Sequence, residues 1–350
     1  MMESIKPIAR RRATLADVAR EAGVGIATVD RVLNKRVAVR PETVRRVHQA
    51  AERIGFHASR LLAKRVEEAK PDRRLGFLLQ RRGSEFYRNF AGELSHASKD
   101  PQLGRHTPVV EYMEDLTPAS VAERILRLGE RCDALAIVAA DHPKVNAAID
   151  QLSAAGCPVY TLLSDVSTEK RAGYFGIDHR KAGRTAGWAI VRLAARGGDI
   201  AIVVGNHRYL GHELCEISFR AYFREHAPDF RLLEPLASLE DKRFAHEATL
   251  DLLKRHPDLA AIYVPGGGIE GIVEALRDRN GAKHVVVVAM DLFTDTRDAL
   301  LNGTIDLVIA TPLALIARGV VEAMLTRLDG SELPSARIAF PFEIYLSENL

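Results

Sequence analysis

Short aliphatic runs recur along most of this chain, at residues 75–80, 109–113, 134–138, 159–163, 200–204, 260–264 and 285–290, with amphipathic stretches of helical spacing between them. A run that is apolar on successive residues suits a strand covered on both faces. Strands that alternate with helices suit a parallel sheet, because a parallel pair needs a crossover of helix length. Residues 74–350 are therefore expected to form an α/β domain with parallel sheets. Ligands of such sheets settle outside the carboxyl ends of the strands. The positions just past the runs are then the ones that matter: 84–87, Asp141, Ser164, Asp165, Asp178, 206–209, 266–268, Asp291 and Thr311.

The first 65 residues depart from this pattern. They hold 15 Lys and Arg against 6 Asp and Glu, whereas the remainder holds 34 against 40, so the modest overall charge of +3 conceals a polycationic end. A basic segment of domain length suits a phosphate-backbone binder, since each neutralised phosphate releases condensed counterions. Thr14 followed three residues later by Asp17 forms a capping-box variant that opens a short helix, with Leu15, Val18 and Ala19 on one face. Gly23 stops it. A second helix over 26–34 places Val29, Val32 and Leu33 inside and Ala27, Asp30, Arg31 and Asn34 outside. Two short helices across a glycine turn make a helix-turn-helix. A third helix starts at Pro41 and runs to Ile54, burying Val44, Val47, Ala51 and Ile54.

The string Thr14-Leu15-Ala16-Asp17-Val18-Ala19-Arg20-Glu21-Ala22-Gly23-Val24, followed by Ala27-Thr28-Val29-Asp30-Arg31-Val32-Leu33-Asn34, Arg40-Pro41-Glu42-Thr43-Val44 and Ile54-Gly55-Phe56, resembles the headpiece of the LacI family of transcriptional regulators. The resemblance implies that the start of the second helix enters the major groove of DNA. Thr14, Ile26, Ala27, Thr28, Arg31 and Asn34 would form the DNA face, with Arg31 as the principal base reader. Two positions depart from the family pattern. Gly25 replaces a serine that contacts phosphate, and Asp30 replaces a small serine, where it either accepts from a cytosine amino group or orients Arg31. After the headpiece the family has a hinge helix with a leucine wedge for the minor groove. Here Arg60 and Leu62 would reach DNA, Leu62 and Val66 compete for the wedge, and either is equally a packing or linker residue. The implied division is a headpiece over 1–57, a hinge and linker over 58–73, and a sensor over 74–350.

The sensor resembles the two-lobed periplasmic-binding-protein-like domain of the same family. In Ser84-Glu85-Phe86-Tyr87 the aromatics stand where the family stacks a sugar ring, and Asp291 matches an aspartate that accepts sugar hydroxyls. Asp178, Gly266 and Thr311 follow strands, and Arg208 is the candidate substitute for a family arginine that is missing. Together Ser84, Phe86, Tyr87, Asp178, Arg208, Gly266, Asp291 and Thr311 make up the expected effector site. The bland alternatives are core packing for Phe86 and a helix cap for Asp178. Chain exchange between the lobes is expected near Asp178, Asp291 and Thr311.

The rival reading is an NAD-dependent oxidoreductase. Gly266, Gly268 and Gly271 satisfy the G-x-G-x-x-G spacing after a strand, and Asp291 follows about 20 residues later, as a dinucleotide fingerprint requires. Such a fingerprint usually opens a domain, and this one comes after several strands. Cys132, Cys157 and Cys215 form no C-x-x-C pair, and His207 and His212 fit no zinc spacing, so neither a disulfide framework nor a metal is expected. No nucleophile elbow or Walker loop is present, and no cofactor is expected. The charged start and the strand-length apolar runs point to a cytoplasmic protein that neither enters nor crosses a membrane. The partners expected are near-palindromic operator DNA, a sugar or polyol effector, and a second copy of the chain in a homodimer.

Overall fold

The computed structural model describes residues 13–34, 39–59, 61–62, 72–104, 106–194, 197–277, 285–331 and 336–350. The chain divides into two compact units, Met1–Arg73 with Lys99–His106, and Arg74–Ser98 with Thr107–Leu350.

The first unit contains α1 (Leu15–Ala22), α2 (Ile26–Asn34) and α3 (Pro41–Arg53). The capping box read from the sequence is present: the Asp17 N–H donates to Thr14 Oγ1, and Asp17 Oδ2 accepts from the Thr14 N–H at 2.9 Å. Gly23 ends α1 in the left-handed conformation (φ 62°), which costs least without a Cβ. Arg46 of α3 donates to the carbonyls of Ala22 and Gly23 at 3.1 and 3.2 Å, satisfying acceptors that the end of α1 leaves open. Val18, Ala19, Val29, Val32, Leu33, Val44, Val47, Ala50 and Ala51 form the core, and Phe56 and Leu62 close it from the following segment.

The second unit has two lobes, each a parallel sheet between helix layers. In lobe 1 the sheet order is β12-β5-β4-β3-β1-β2, built from β1 (Arg74–Gln80), β2 (Thr107–Met113), β3 (Ala134–Ile137), β4 (Val159–Leu162), β5 (Gly173–Ile177) and β12 (Ala336–Phe340). One face is covered by α5 (Pro118–Gly129) and α6 (Pro143–Ala154). In addition, α4 (Glu85–Ser98) packs with α12 (Leu313–Leu328). Lobe 2 has the order β13-β11-β10-β9-β6-β7, with β6 (Asp199–Val204), β7 (Arg231–Leu232), β9 (Leu259–Val264), β10 (Val286–Met290), β11 (Leu307–Ala310) and β13 (Glu343–Tyr345), while β8 (Leu236–Ala237) also pairs with β6. Among the described strands, only β13 runs antiparallel to its neighbour. One face of this sheet packs on α7 (His179–Leu193) and α8 (Leu210–His226); the other packs on α9 (Lys242–Arg255), α10 (Ile269–Arg277) and α11 (Thr294–Leu301).

Every aliphatic run of the sequence is a strand. The runs leave out β5, whose two glycines interrupt its apolar stretch, and short or late strands such as β11 and β13, although the expected strand ends before Asp178 and Thr311 are those of β5 and β11. The lobe exchanges are partly as expected. The chain leaves lobe 1 at Asp178, entering α7, and returns to it beyond Thr311, entering α12. The expected exchange at Asp291 is not made: β10 lies between β9 and β11 in one parallel sheet, so the chain after Asp291 runs through α11 and back into the same lobe. The third exchange is at Pro341 and Phe342, between β12 and β13.

Helix α7 sits so close to α8 that a Cβ on Gly183 would lie 2.3 Å from both the Cys215 carbonyl oxygen and Ser218 Oγ, whereas one on Gly92 in α4 would meet nothing within 4 Å. Gly183→Ala is expected to lower stability by about 1–3 kcal/mol through overpacking. Gly92→Ala should raise it by about 0.5–1 kcal/mol by removing unfolded-state freedom. Urea midpoints of the two variants would refute this account if their order were reversed.

Candidate functional site

In the first unit, α2 turns Val29, Val32 and Leu33 inward and leaves Ile26 (54% exposed), Ala27, Arg31 and Asn34 on the surface, with Thr28 half-buried. The Gly25 carbonyl accepts from the N–H groups of Thr28 and Val29, so the glycine starts the helix without a side chain. Asp30 Oδ1 accepts from Asn34 Nδ2 at 2.7 Å, an i, i+4 pair that steadies the outer face of the helix. Thr14 belongs to the α1 cap, where its hydroxyl donates to Asp17 Oδ2 at 2.6 Å. Leu62 takes the packing alternative: it is 0% exposed within the headpiece core. Withdrawing it to act as a wedge costs about 2 kcal/mol of lost burial. Arg60 and the other wedge candidate, Val66, lie outside the described residues.

The second unit holds a cavity of about 120 Å³ between its lobes. Its position follows from topology. Strand order reverses between β1 and β3 in one sheet and between β6 and β9 in the other, and residues at or just past the carboxyl ends of these strands line the space: Gln80, Val138, Tyr209, Pro265 and Gly266. The backbone is strained here. Arg81 (φ 33°), Leu163 (63°), Leu239 (54°), Glu240 (56°) and Asp291 (65°) are all the described non-glycine residues with positive φ. Leu163, Glu240 and Asp291 line the cavity, and Arg81 Nη2 donates to the Leu239 carbonyl at 3.3 Å. Strain concentrated at one place is the mark of a binding or switch region.

Among the expected effector residues, Ser84, Phe86, Tyr87, Gly266, Asp291 and Thr311 are brought together on this cavity. Phe86 meets Tyr87 edge-on with ring centroids 5.2 Å apart and also contacts Phe90, so it is half core and half wall. Asp291 Oδ1 accepts from the Thr311 N–H at 3.0 Å, and burial raises its carboxyl from the ordinary 3.8 to about 6. Two expectations are corrected. Asp178 caps α7, accepting from the Lys181 N–H at 3.1 Å, and borders a different hollow with Arg180 and Arg337. Arg208 lines another small hollow with His142 and Asn206, because the turn after β6 carries its side chain away from the main cavity. Asp165, also past a strand, is buried in ion pairs with Arg171 and Arg337.

The sequence did not single out Gln80, His179, Glu240 or Glu270, and it weighed His212 only as a zinc ligand, yet all five line the cavity. Glu240 follows a two-residue strand that no periodicity reveals. Burial raises its carboxyl above the usual range, although it accepts from the Gly267 N–H. His212 Nδ1 accepts from the Asn206 N–H at 3.4 Å, and His179 Nε2 bonds the Leu163 carbonyl at 2.6 Å. Burial pushes both histidines down to about 4 and keeps them neutral at physiological pH.

The glycine fingerprint has packing reasons. A Cβ on Gly266 would lie 2.7 Å from the Gly205 nitrogen and from His212 Cε1, one on Gly268 would lie 2.9 Å from Ser238 Cβ, and one on Gly271 would lie 2.0 Å from the Lys242 carbonyl oxygen; between them, one on Gly267 would lie 1.8 Å from Glu240 Oε2. Since Glu240 takes the Gly267 amide, a dinucleotide diphosphate placed there would face a carboxylate.

Hydrogen bonds join the lobes around the cavity. Gln80, 2% exposed, donates from Nε2 to Tyr209 Oη at 2.7 Å. The Gly211 N–H donates to Ser164 Oγ at 3.2 Å, and the Asp141 N–H to the Arg208 carbonyl at 3.1 Å. At the rim, Glu85 Oε1 accepts from both the N–H and the hydroxyl of Thr294, at 3.1 and 2.9 Å, so a carboxylate of one lobe sits at the first turn of a helix of the other.

The family model described as periplasmic binding protein domain matches residues 116–332, and that of the bacterial regulatory proteins, lacI family, matches residues 14–59. No curated protein matches the chain in sequence. Among solved structures, the chain is similar to GanP, a glucose-galactose binding protein from Geobacillus stearothermophilus (TM-score 0.73, 18% identity, 80% of this chain and 99% of that one). It is similar to an ABC transporter solute binding protein from Burkholderia graminis C4D1M in complex with D-arabinose (0.73, 17%, 80% and 97%). A third is an ABC transporter solute binding protein from Agrobacterium vitis bound with alpha-D-tagatopyranose (0.72, 19%, 79% and 96%). At these identities the likeness is one of fold.

The raised carboxyl of Asp291 generates a test of the cleft's electrostatics. The folded protein holds the Asp291 proton more tightly than the unfolded chain does, so ionisation costs stability progressively from about pH 4 to somewhat above pH 6 and fully beyond. Asp291→Asn removes that cost and is expected to stabilise the ligand-free protein by at most about 3 kcal/mol at pH 8, with almost no effect at pH 4. Thermal melts at the two pH values check it; equal shifts at both would show that charge burial is not the cause.

Proposed function

The chain belongs to the periplasmic binding protein domain family, with the module of the lacI family of bacterial regulatory proteins ahead of it, and on that premise we propose that it is a cytoplasmic transcriptional repressor. Residues 1–57 bind a near-palindromic operator as part of a homodimer, residues 58–73 act as hinge and linker, and residues 74–350 bind a small carbohydrate-like effector between the two lobes. The observation that carries this reading is the cavity at the switch points of both sheets, ringed by hydrogen bonds that exist only while the lobes are together. A ligand that fills the cavity favours this closed arrangement over an open one. By linkage, any difference in operator affinity between the two arrangements is matched by an equal difference in effector affinity. The sugars bound by the structural relatives support a sugar or polyol as the ligand class.

On the headpiece, the exposed Ile26, Ala27 and Arg31 form the reading surface, with Thr28 and Asn34 beside them. Ile26 and Ala27 offer apolar contact to a thymine methyl, and Arg31 offers two donors to guanine. The oxidoreductase reading loses its support where Glu240 occupies the Gly267 amide.

Arg31→Ala is expected to cost about 1–3 kcal/mol of operator discrimination with the fold intact. Gel-shift titration checks it, and equal affinity of variant and parent would remove α2 as the reader. Operator affinity should also fall steeply with salt, and a flat log–log dependence would count against phosphate contacts. In the sensor, Asp291→Ala and Phe86→Ala are expected to abolish the effector response through a lost charged acceptor and lost stacking respectively, with ligand-free operator binding retained. Titration calorimetry against a sugar panel and NAD distinguishes the alternatives: tight NAD binding without any sugar response would overturn the regulator reading.

A further inference from the structure

Resting on the reading of the cleft as an effector site, we propose that the effector is a cationic amino sugar or amino polyol, whose ammonium group sits between Glu240 and Asp291. The cavity wall carries the carboxyl groups of Glu240, Glu270 and Asp291 and, among the described residues, no lysine or arginine. Glu240 Oε1 is buried without a hydrogen-bond partner, an acceptor in want of a donor. An ammonium offers three donors and a countercharge at once. A neutral sugar offers hydroxyls but would leave the acids enclosed without compensation, and an anionic one would add repulsion in a medium of low dielectric. No group of three or more metal-ligating side chains occurs among the described residues, so an organic cation is the better match than a divalent metal ion.

The charges facing the site from each packed element leave this balance intact. Arg81, after β1, donates to the Leu239 carbonyl and favours the ionised form of Glu240 without itself lining the cavity. Tyr87 on α4 and Tyr209 at the start of α8 are held in their neutral forms by burial, as are His179 on α7 and His212 on α8. On α11, Asp295 adds negative potential at Glu270. Lys242 on α9 is engaged with Glu274 at 3.2 Å. Amine affinity should therefore rise with pH as Asp291, at about 6, and the raised carboxyls of Glu240 and Glu270 ionise, until the ligand itself loses its proton.

The test uses the full chain in thermal-shift and calorimetric titrations against glucosamine, galactosamine and mannosamine, the parent hexoses, and the corresponding hexose 6-phosphates. The expected result is that one amine binds at least tenfold more tightly than its parent hexose at pH 7, that the gap narrows at pH 5, and that Glu240→Gln narrows it at pH 7. Ligand-free melts establish that this variant is folded, and Glu270→Gln provides a second one. A parent hexose or a phosphate binding as tightly as the amine overturns the amine proposal; if Asp291→Ala then abolishes that binding, the cleft reading stands. A panel without any shift overturns both.

Discussion

In a parallel sheet covered on both faces, the loops that follow the strands gather at the carboxyl edge, where backbone groups leave the hydrogen-bonded ladder and must find other partners. Both lobes obey this constraint, and their carboxyl edges meet at one cleft. The strained residues Leu163, Glu240 and Asp291 are there for that reason, as is the bond from the Thr311 amide to the Asp291 carboxylate. A rigid scaffold thus gathers conformational strain and polar groups at the same place, where a ligand can make use of both.

The lobes are joined across the cavity by hydrogen bonds of modest worth. Each of the bonds Gln80–Tyr209, Gly211–Ser164 and Thr294–Glu85 replaces contacts with water that the separated groups would make, so its net contribution is on the order of 1 kcal/mol. Working against them is the enclosure of acidic groups without a matching cation on the wall.

The headpiece solves a different problem. A core this small gains from satisfied helix ends, which the Thr14–Asp17 box and the Arg46 bonds provide at the two ends of α1. Helix α2 keeps an apolar inner face and leaves Ile26, Ala27 and Arg31 in solvent. Leu62 adds its whole side chain to that core, so withdrawing it would give up part of this unit's own packing.

Periodicity alone determined the three headpiece helices, the caps at Thr14 and Gly23, and the main parallel strands, since these depend on which residues neighbour one another along the chain. Resemblance added Phe86 and Asp291, and the rule of strand ends directed attention to Gly266 and Thr311. What only the tertiary structure decided was where side chains past a strand end point. Asp178 and Arg208 satisfy that rule as well as Asp291 does, yet the turns that follow aim them elsewhere. Gln80, His212 and Glu240 reach the cleft from the end of a strand, the first turns of α8 and a left-handed turn respectively, with no shared spacing to mark them. The same holds for the lobe exchange at Pro341 and Phe342 and for the glycines at 266 and 267. Their role is set by neighbours distant in sequence, His212 and Glu240, and close contact between residues far apart along the chain leaves no trace in local pattern.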